Sequence, residues 1–439
     1  MALTVHIPCS PNAAVPTRVR WRIAALLFAI SVVTYIDRVN ISVTARQMMP
    51  ALGFTDLQMG QVFSAFVLGY ALCQLPGGWL GDRWGAKRVL TFAIVWWSCF
   101  TALTAVAATL PWVSLLGALG SLIVVRFLVG VGEAAALPNF NRTVANWLAP
   151  HERGLGIGIA IGGIGVGSSL TPPVTAWIMV NFGWQMAFYA AAVLGLVVAG
   201  LWYGYATDRP ADHPHVNAEE AVLIAGAGPD TQPEEAHGEM SWRRIGRTPA
   251  VWWLVLSYTC LGYVAYVYMS WFYLYLVNVR GFGVLRGAVF ASAPFIAMAV
   301  FCPLGGWATD YLTVRRGRQA GRAWPGGAGM MLAGVCIIAG AFTEHPFIAI
   351  ALLSLGAGWL YFSVGAYWSS TVDLSKDHAG ALSGLMNTGA NLGGVLSPTL
   401  TPWLAQHLGW GAALAAAAVI AMIGGALWWK ITPGMGLRS

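Results

Sequence analysis

The sequence predicts an all-α membrane protein with twelve transmembrane helices in two pseudo-symmetric halves of six. Three observations support this fold class. The 439 residues are 57% apolar and only 9% charged, whereas soluble proteins carry about 25% charged residues. Apolar stretches long enough to cross a bilayer recur along the chain. Motifs of the first half of the chain return in the second half.

Each predicted span is an apolar stretch close to the length of about 20 residues that a transmembrane helix needs. The spans are numbered 1 to 12 in chain order and cover residues 22–45, 58–80, 89–109, 113–137, 154–179, 184–206, 250–276, 286–308, 326–343, 346–371, 380–405 and 410–430. The first stretch runs on without a small-residue cleavage site, so it is interpreted as a span and not as a signal peptide.

A polar segment at residues 207–249 separates the two groups of six spans. It carries eight acidic residues together with Pro and Gly, and it is too short and too polar to form a catalytic domain. We therefore interpret it as a solvated linker. It divides the chain into an N-terminal bundle, residues 1–206, and a C-terminal bundle, residues 250–439.

The two bundles share sequence features at an almost constant offset. The pair Gly183-Trp184 matches Gly409-Trp410 at an offset of 226 residues, and Pro172 matches Pro398 at the same offset. The motif PGGWLGD at residues 76–82 is echoed at residues 303–310. Such a parallel repeat of six spans is typical of secondary transporters.

The distribution of Lys and Arg predicts the orientation of the chain. If both termini are cytoplasmic, 19 of the 24 basic residues fall in cytoplasmic segments, and three lie in outer loops, namely Arg46, Arg280 and Arg286. The net charge of +7 is thus explained by topology, and no nucleic-acid partner is expected. The six cysteines are scattered, mostly within apolar runs, so neither a disulfide, a metal site nor a cofactor is predicted.

Charges within the spans are few, and each one needs a reason because it costs about 2.5–3.5 kcal/mol to insert. Four clear cases occur, Asp37 and Arg38 in span 1 and Arg126 and Glu133 in span 4. Glu133 follows Arg126 by seven positions, nearly two full helical turns, which places both residues on one face of a helix, about 10 Å apart. One interpretation is that the four residues form neutralising pairs that only help the helices to pack.

The favoured interpretation is that the two arginines hold an anion and the two carboxylates carry protons. All eight histidines lie outside the predicted spans, which leaves Asp37 and Glu133 as the protonatable groups at membrane depth. An anion that captures Arg126 would remove a counter-charge from Glu133 and favour its protonation. The expected partners are a small organic anion, protons and the lipid bilayer.

Two motifs carry a family resemblance. The loop between spans 2 and 3, GWLGDRWGAKR at residues 78–88, resembles the signature loop of the major facilitator superfamily. The sequence YIDRVN at residues 35–40, with Arg126, GVGEA at residues 130–134 and Pro138, resembles the anion:cation symporter branch, which includes bacterial carriers of galactonate, glucarate and hexuronates as well as sialin-like carriers. The resemblance covers the whole chain.

This resemblance implies roles for particular residues. Asp37 and Glu133 match the proton-coupling acids of the family. The positions that match those around the substrate in sugar-acid carriers are Tyr35, Arg38, Tyr70, Arg126 and Asn391. A latch that favours one access state is implied for Asp82, Arg83, Lys87 and Arg88, although the basic residues there could serve only as a topology signal. Arg46 is not part of the pattern.

Further polar residues of the second half are candidates for the substrate site because of their positions along the predicted helices. Asn387 and Asn391 share a face of span 11, four residues apart, and could either bond to neighbouring helices or donate to substrate hydroxyls. Tyrosines point all round span 7 and most are expected to be packing residues. We expect only Tyr263 and Tyr266 to face a central cavity.

Taken together, these features predict a proton-driven symporter that imports a small organic anion by alternating access. The resemblance favours a sugar acid such as a hexonate, a hexuronate or glucarate. A carrier of aromatic carboxylates or dicarboxylates is the alternative, and two arginines at membrane depth disfavour the efflux of amphipathic cations. An enzyme is not expected. The predicted location is the inner (plasma) membrane, with both termini cytoplasmic, and a monomer is expected.

Overall fold

The computed structural model describes residues 15–149, 152–225, 246–374 and 379–431, and these residues are almost entirely helical, with no strands among them. Spans 1 to 6 are Val19–Leu52, Asp56–Trp84, Ala86–Thr104, Val113–Glu133 continued by Ala136–Trp147, Arg153–Phe182 and Trp184–Tyr205. Spans 7 to 12 are Pro249–Asn278, Val284–Ala291 continued by residues 293–316, residues 318–342, Pro346–Phe362 continued by Val364–Leu374, Ala379–Leu408 and Trp410–Leu427. Short 3-10 turns lie at Ala107–Thr109, Pro210–Asp212 and Trp428–Lys430.

These helices account for all twelve spans. Ten helical stretches of the described chain are long and apolar enough to cross a membrane. One of them, Val284–Phe342, contains both span 8 and span 9, because Gly317 interrupts the helix with a φ of 82°. The remaining span, span 11 at Ala379–Leu408, is less apolar because it carries several Asn, Thr and Gly residues.

The ends of spans 8 and 9 differ from the expected ones. The helices extend to residue 316 and begin again at residue 318, whereas the apolar stretches end at residue 308 and start at residue 326. The additional turns carry arginines that lie beyond the apolar part of the spans. His407, which we expected outside the spans, lies in the last turn of span 11 and is exposed.

The internal repeat appears in the backbone as well as in the sequence. Gly183 and Gly409, which precede spans 6 and 12, have nearly identical dihedral angles, with φ of 89° and 84°. Gly85 and Gly317, which precede spans 3 and 9, have φ of 87° and 82°. A positive φ is strained for residues with a Cβ atom, so glycine is required at these corresponding bends.

The two halves pack against each other mainly through spans 2 and 11 and spans 5 and 8. We call the side on which span 1 begins the linker side, and the opposite side the far side. Towards the far side, spans 2 and 11 approach so closely that a Cβ atom on Gly60 would lie 2.2 Å from the carbonyl oxygen of Pro398. Ser64 donates a 2.7 Å hydrogen bond to the Val395 carbonyl at the same crossing.

The linker is not wholly solvated, which corrects the expectation from composition. Its residues Ala218–Ala225 form a helix that packs on the linker side of the N-terminal half. Glu220, on this helix, is fully buried and accepts hydrogen bonds from the backbone N–H groups of Val19 and Arg20 at 3.2 and 3.1 Å. A carboxylate at this position satisfies the free amides at the start of span 1.

Candidate functional site

The four charges at membrane depth converge between spans 1 and 4. Their exposed fractions are 0% for Asp37, 9% for Arg38, 1% for Arg126 and 0% for Glu133. Arg38 donates to Glu133 through Nη2 at 3.0 Å and through Nε at 3.4 Å. The charges therefore form a cluster inside the bundle, with one direct ion pair between the two spans.

Glu133 is paired with span 1, which corrects the expectation that Arg126 is its counter-charge. Arg126 is on the same helix as Glu133 but about two turns away, so it remains an electrostatic neighbour and makes no ion pair with it. Periodicity places two residues of one helix on a shared face. It does not tell which residue of a neighbouring helix lies closer.

Aromatic rings surround the Arg38 guanidinium. Its central carbon lies 4.7 Å from the ring centroid of Tyr35 and 4.6 Å from that of Tyr70, and Nη1 donates to the Tyr35 hydroxyl at 3.4 Å. Phe66 contacts Arg38 at 5.1 Å and Arg126 at 5.0 Å. A single ring thus packs against both cations, and such cation–π contacts stabilise a guanidinium that has lost its water.

Arg126 is the least satisfied cation of the cluster. Although it is 1% exposed, its Nε and Nη1 atoms have no hydrogen-bond partner among the described residues. It lines a pocket together with Arg38, Tyr266, Met269, Ser270 and other residues of spans 1, 2 and 7. A buried guanidinium with free N–H groups is costly, and Arg126 is the cation of the cluster that has N–H groups left for an acceptor.

Asp37 lies on the side of span 1 that faces spans 3 and 4. Neither carboxylate oxygen accepts a hydrogen bond of normal geometry among the described residues, although the Thr101 hydroxyl lies beside them. Glu133 and Arg126 are its charged neighbours. Two carboxylates and two guanidinium groups thus share one buried site, whose charge is balanced when all four groups are ionised.

The C-terminal half contributes fewer of the expected residues to this cluster. Tyr266 lines the pocket and lies near Arg38. Tyr263 needs a correction, because it is buried between spans 7 and 11, where its hydroxyl lies 3.4 Å from Thr401. Sequence reasoning missed Tyr361 of span 10, which lies near Tyr35 and Tyr266. No local pattern marked it among the aromatic residues of an apolar span.

Asn387 and Asn391 lie next to the cluster and make hydrogen bonds with the other half. Their amide nitrogens donate to Oε1 of Gln74 on span 2, at 3.0 and 3.3 Å. Of the two alternatives for these residues, the structure shows the bonds to a neighbouring helix. Gln74 was missed, although it lies four residues after Tyr70 and hence on the same face of span 2.

The loop between spans 2 and 3 is held by contacts with the N-terminal half and with the start of the linker. Asp82 makes an ion pair with Arg142 at the end of span 4, and Arg83 lies over the Trp79 ring at 5.5 Å. The backbone N–H of Lys87 donates to the Asp208 carboxylate at 2.8 Å. Arg88 is exposed at the start of span 3. Sequence reasoning found the loop but missed its partners, Arg142 and Asp208.

The other half has a comparable arrangement on the linker side. Arg322 donates from Nε to Asp373 at 2.8 Å, and its Nη1 lies 3.6 Å from Asp310. Asp310 is the counterpart of Asp82 in the repeated motif. Each half therefore ties the end of its second span to the end of its fourth through carboxylate–arginine contacts.

Comparisons with known proteins agree with this architecture. Among solved structures, a bacterial homologue of the human lysosomal transporter Spinster has a similar fold, with a TM-score of 0.79 at 20% identity over 94% of this chain and 97% of that one. A D-xylose–proton symporter has a TM-score of 0.74 at 15% identity, covering 95% of this chain and 99% of that one. At these identities the likeness shows the fold.

Relatives of known description are more similar in sequence. A probable sulfoacetate transporter, SauU, of Cupriavidus necator is 32% identical over 89% of each chain. A probable galactarate/D-glucarate transporter, GudP, of Bacillus subtilis is 31% identical over 90% of this chain and 87% of its own. The D-galactonate transporter of Escherichia coli O6:H1 is 30% identical over 94% of this chain and 95% of its own.

The family assignment rests on most of the chain. Residues 27–398 match the Major Facilitator Superfamily, a range that includes the charge cluster, the loop at residues 78–88 and most of span 11. The twelve-span fold and the relatives named as transporters of sugar acids and other anions are consistent with the resemblance noted in the sequence. This chain belongs to the Major Facilitator Superfamily of membrane transporters.

Proposed function

We propose that the protein is a proton-coupled symporter that imports a small organic anion, and that the anion is a sugar acid such as a hexonate, a hexuronate or glucarate. The observation that carries this proposal is the buried Arg126 guanidinium, which has free N–H groups on a pocket and two buried carboxylates close by. The relatives named for galactarate, D-glucarate and D-galactonate support the substrate class.

Proton coupling follows from the charge balance of the cluster. With Asp37, Arg38, Arg126 and Glu133 all ionised, the site is neutral, and a bound monoanion leaves it with one excess negative charge. A proton on Asp37 or Glu133 removes that excess, which matters because an uncompensated charge is expensive in a dry site. Anion and proton therefore stabilise each other's binding.

The driving force is sufficient for accumulation. Each proton contributes about 1.4 kcal/mol per pH unit. Any net positive charge that crosses with the substrate adds about 2.3 kcal/mol per 100 mV. A second proton per monoanion would make transport sensitive to voltage, whereas a single proton would make it electroneutral.

We place the linker side in the cytoplasm and the protein in the inner (plasma) membrane as a monomer. The excess of Lys and Arg on that side supports this orientation, because cytoplasmic loops are enriched in these residues. The arginines at residues 315–322 and the basic residues at 83–88 all lie there. Substrate would then enter from the far side and leave past spans 2 and 11.

A small dianion is the second candidate substrate. The relative named for sulfoacetate, whose substrate carries a carboxylate and a sulfonate, is 32% identical to this chain. Two arginines near one pocket could meet two anionic groups if Arg38 exchanged Glu133 for the substrate. This candidate belongs with the dicarboxylate alternative. It differs from the hexonates and hexuronates in charge, and from glucarate in its lack of hydroxyl groups.

Counterflow in proteoliposomes tests the proposal. Vesicles preloaded with one unlabelled acid are given a trace of the same labelled acid, and the panel contains galactonate, glucarate, glucuronate, malate, benzoate and sulfoacetate. We expect exchange with at least one sugar acid and accumulation of that acid when the outside is acidified. Exchange confined to malate, benzoate or sulfoacetate would refute the substrate class, and accumulation that ignores the proton gradient would refute the coupling.

A further inference from the structure

Hydrogen bonds between side chains or backbone of the two halves lie at three places in the described part of the chain. Ser64 bonds to Val395 and Thr399 across spans 2 and 11. Ser292 donates to the Ser169 carbonyl at 2.5 Å across spans 8 and 5. The third place is Gln74, where both bonds are made to span 11.

Gln74 differs from the other two places in its depth. Span 2 begins at Asp56 on the far side and ends at Trp84 on the linker side, so Gln74 lies about 27 Å from its far end and about 15 Å from its linker-side end. Ser64 lies on the opposite part of the span, about 12 Å from the far end. The Gln74 bonds are thus on the linker side of the centre of the bundle.

Gln74 also lies one helical turn from a residue that contacts the charge cluster. It follows Tyr70 by one helical turn, about 6 Å along span 2, and the Tyr70 ring contacts the Arg38 guanidinium. Its single side-chain oxygen accepts from both Asn387 and Asn391, which are themselves one turn apart on span 11. Two hydrogen bonds therefore join the halves one helical turn to the linker side of Tyr70.

We propose that Gln74 is a gating residue that holds the linker side of the site closed. The proposal rests on alternating access as proposed above. Spans 2 and 11 cannot separate at this depth until both amide donors leave the Gln74 oxygen. Neutral hydrogen bonds of this kind contribute modestly to stability, so they can bias the closed state and still break in every transport cycle.

Ser64 provides a comparison on the far side. Ser64 makes bonds between the same two spans, but on the other side of the cluster. If spans 2 and 11 rock about the centre, bonds at Ser64 favour closure of the far side and bonds at Gln74 favour closure of the linker side. Loss of one set should open one side only.

Distances between spin labels test this directly in the substrate-free protein. A linker-side pair is placed at the exposed Ala145 and Arg318, and a far-side pair at the exposed Thr109 and Glu344, in a chain without its native cysteines. In Gln74→Ala the population at longer linker-side distances should rise about fivefold or more, roughly the factor that one neutral hydrogen bond provides. Ser64→Ala is the matched control and should lengthen the far-side distances instead.

A second variant keeps the test independent of any one substitution. The double replacement of Asn387 and Asn391 by Ala removes the same two bonds from the other half, so it should produce the same linker-side shift, and adding Gln74→Ala should produce no more. An unchanged linker-side distribution in folded Gln74→Ala protein, or the same shift in Gln74→Ala and Ser64→Ala, would overturn the proposal. Because no substrate is added, a wrong substrate class leaves this result unaffected.

Discussion

Glu133 makes its ion pair with Arg38 of span 1, at 3.0 Å, and not with Arg126 of its own span. This arrangement separates two tasks within one cluster. Arg38 neutralises a carboxylate and is enclosed by aromatic rings, whereas Arg126 keeps free N–H groups on the pocket. An anion on Arg126 would therefore act on Glu133 and Asp37 through space and not by replacing a direct partner.

Replacing Arg126 by Lys should abolish tight substrate binding while the protein remains folded. Lys keeps the charge but lacks the planar fork that grips a carboxylate at two oxygens. One lost charged hydrogen bond corresponds to a decrease in affinity of about 10- to 100-fold. Substrate affinity in detergent measures the loss of binding, and the thermal unfolding midpoint shows whether the protein remains folded. Arg22→Lys, outside the site, is the control, and wild-type affinity in Arg126→Lys would contradict the assignment.

Replacing Glu133 by Gln should preserve exchange and abolish uphill uptake. Gln has nearly the shape of the protonated acid and can still accept a hydrogen bond from Arg38, so the loaded carrier can change state. Net uptake requires the acid to lose its proton inside, which Gln cannot do. Counterflow and proton-driven accumulation are measured in the same vesicles. Accumulation at the wild-type level in Glu133→Gln would contradict a role in proton coupling. Glu133 would then be only the ion-pair partner of Arg38.

Asp37→Asn should also abolish uphill uptake, and exchange should survive in this variant. The Arg38 guanidinium is oriented by Glu133 and Tyr35 and not by Asp37, so the binding groups should keep their positions. The same paired measurement applies, with Asp37→Glu as the variant that retains a titratable group. Should Asp37→Asn lose exchange while Asp37→Glu keeps it, the charge of Asp37 is needed for binding.

Gly60→Ala should open the far side. A Cβ atom there would lie 2.2 Å from the Pro398 oxygen, a distance that requires spans 2 and 11 to move apart. Spin labels at Thr109 and Glu344 should report longer distances than in the parent chain. Gly158→Ala is the matched control, because a Cβ on Gly158 meets nothing within 4 Å. Unaltered distances in the Gly60 variant would show that the crossing adapts without opening.

Glu220→Gln should destabilise the protein at neutral pH, by about 1–3 kcal/mol for the lost charged hydrogen bonds. Burial alone would raise the pKa of Glu220, but hydrogen bonds from Thr17, Arg20 and Val19 outweigh it and hold the pKa below its ordinary value of 4.5. The contribution of Glu220 to stability is therefore complete above pH 4.5 and is lost as the pH falls through the lower folded pKa.

Unfolding midpoints measured from neutral to acidic pH test this prediction. The difference between the parent protein and Glu220→Gln should be constant near neutrality and should shrink below about pH 4.5. Glu219→Gln, the neighbouring position on the same helix, is the control and should match the parent throughout. A difference that persists unchanged in acid would mean that the Glu220 charge is not the stabilising feature.

The sequence was sufficient for the fold because span number and repeat symmetry are properties of hydropathy and spacing along one chain. Span ends were less predictable, since spans 8 and 9 continue as polar turns that carry Arg315, Arg316 and Arg318. The rarity of charge within spans marked Asp37, Arg38, Arg126 and Glu133. Their pairing depends on how spans 1 and 4 pack, which no pattern within either span specifies.

The residues that sequence reasoning missed or misplaced escaped it for different physical reasons. Gln74 carries no charge, so a search for charged residues within the spans does not mark it in span 2. Glu220 lies in a polar segment where an acidic residue is ordinary, and only its contact with the start of span 1 makes it structural. Tyr263 was misplaced because tyrosines surround span 7, and only packing decides which of them contact span 11.

Glu220 also determines how much chain is left to connect the halves. Because the helix Ala218–Ala225 is fastened to the N-terminal half, the remaining connection to Pro249 is residues 226–248. Twenty-three residues can reach about 75 Å when extended, well beyond the roughly 35 Å across three adjacent helices. The length of this connection alone therefore sets no limit on how far the two halves can separate on the linker side.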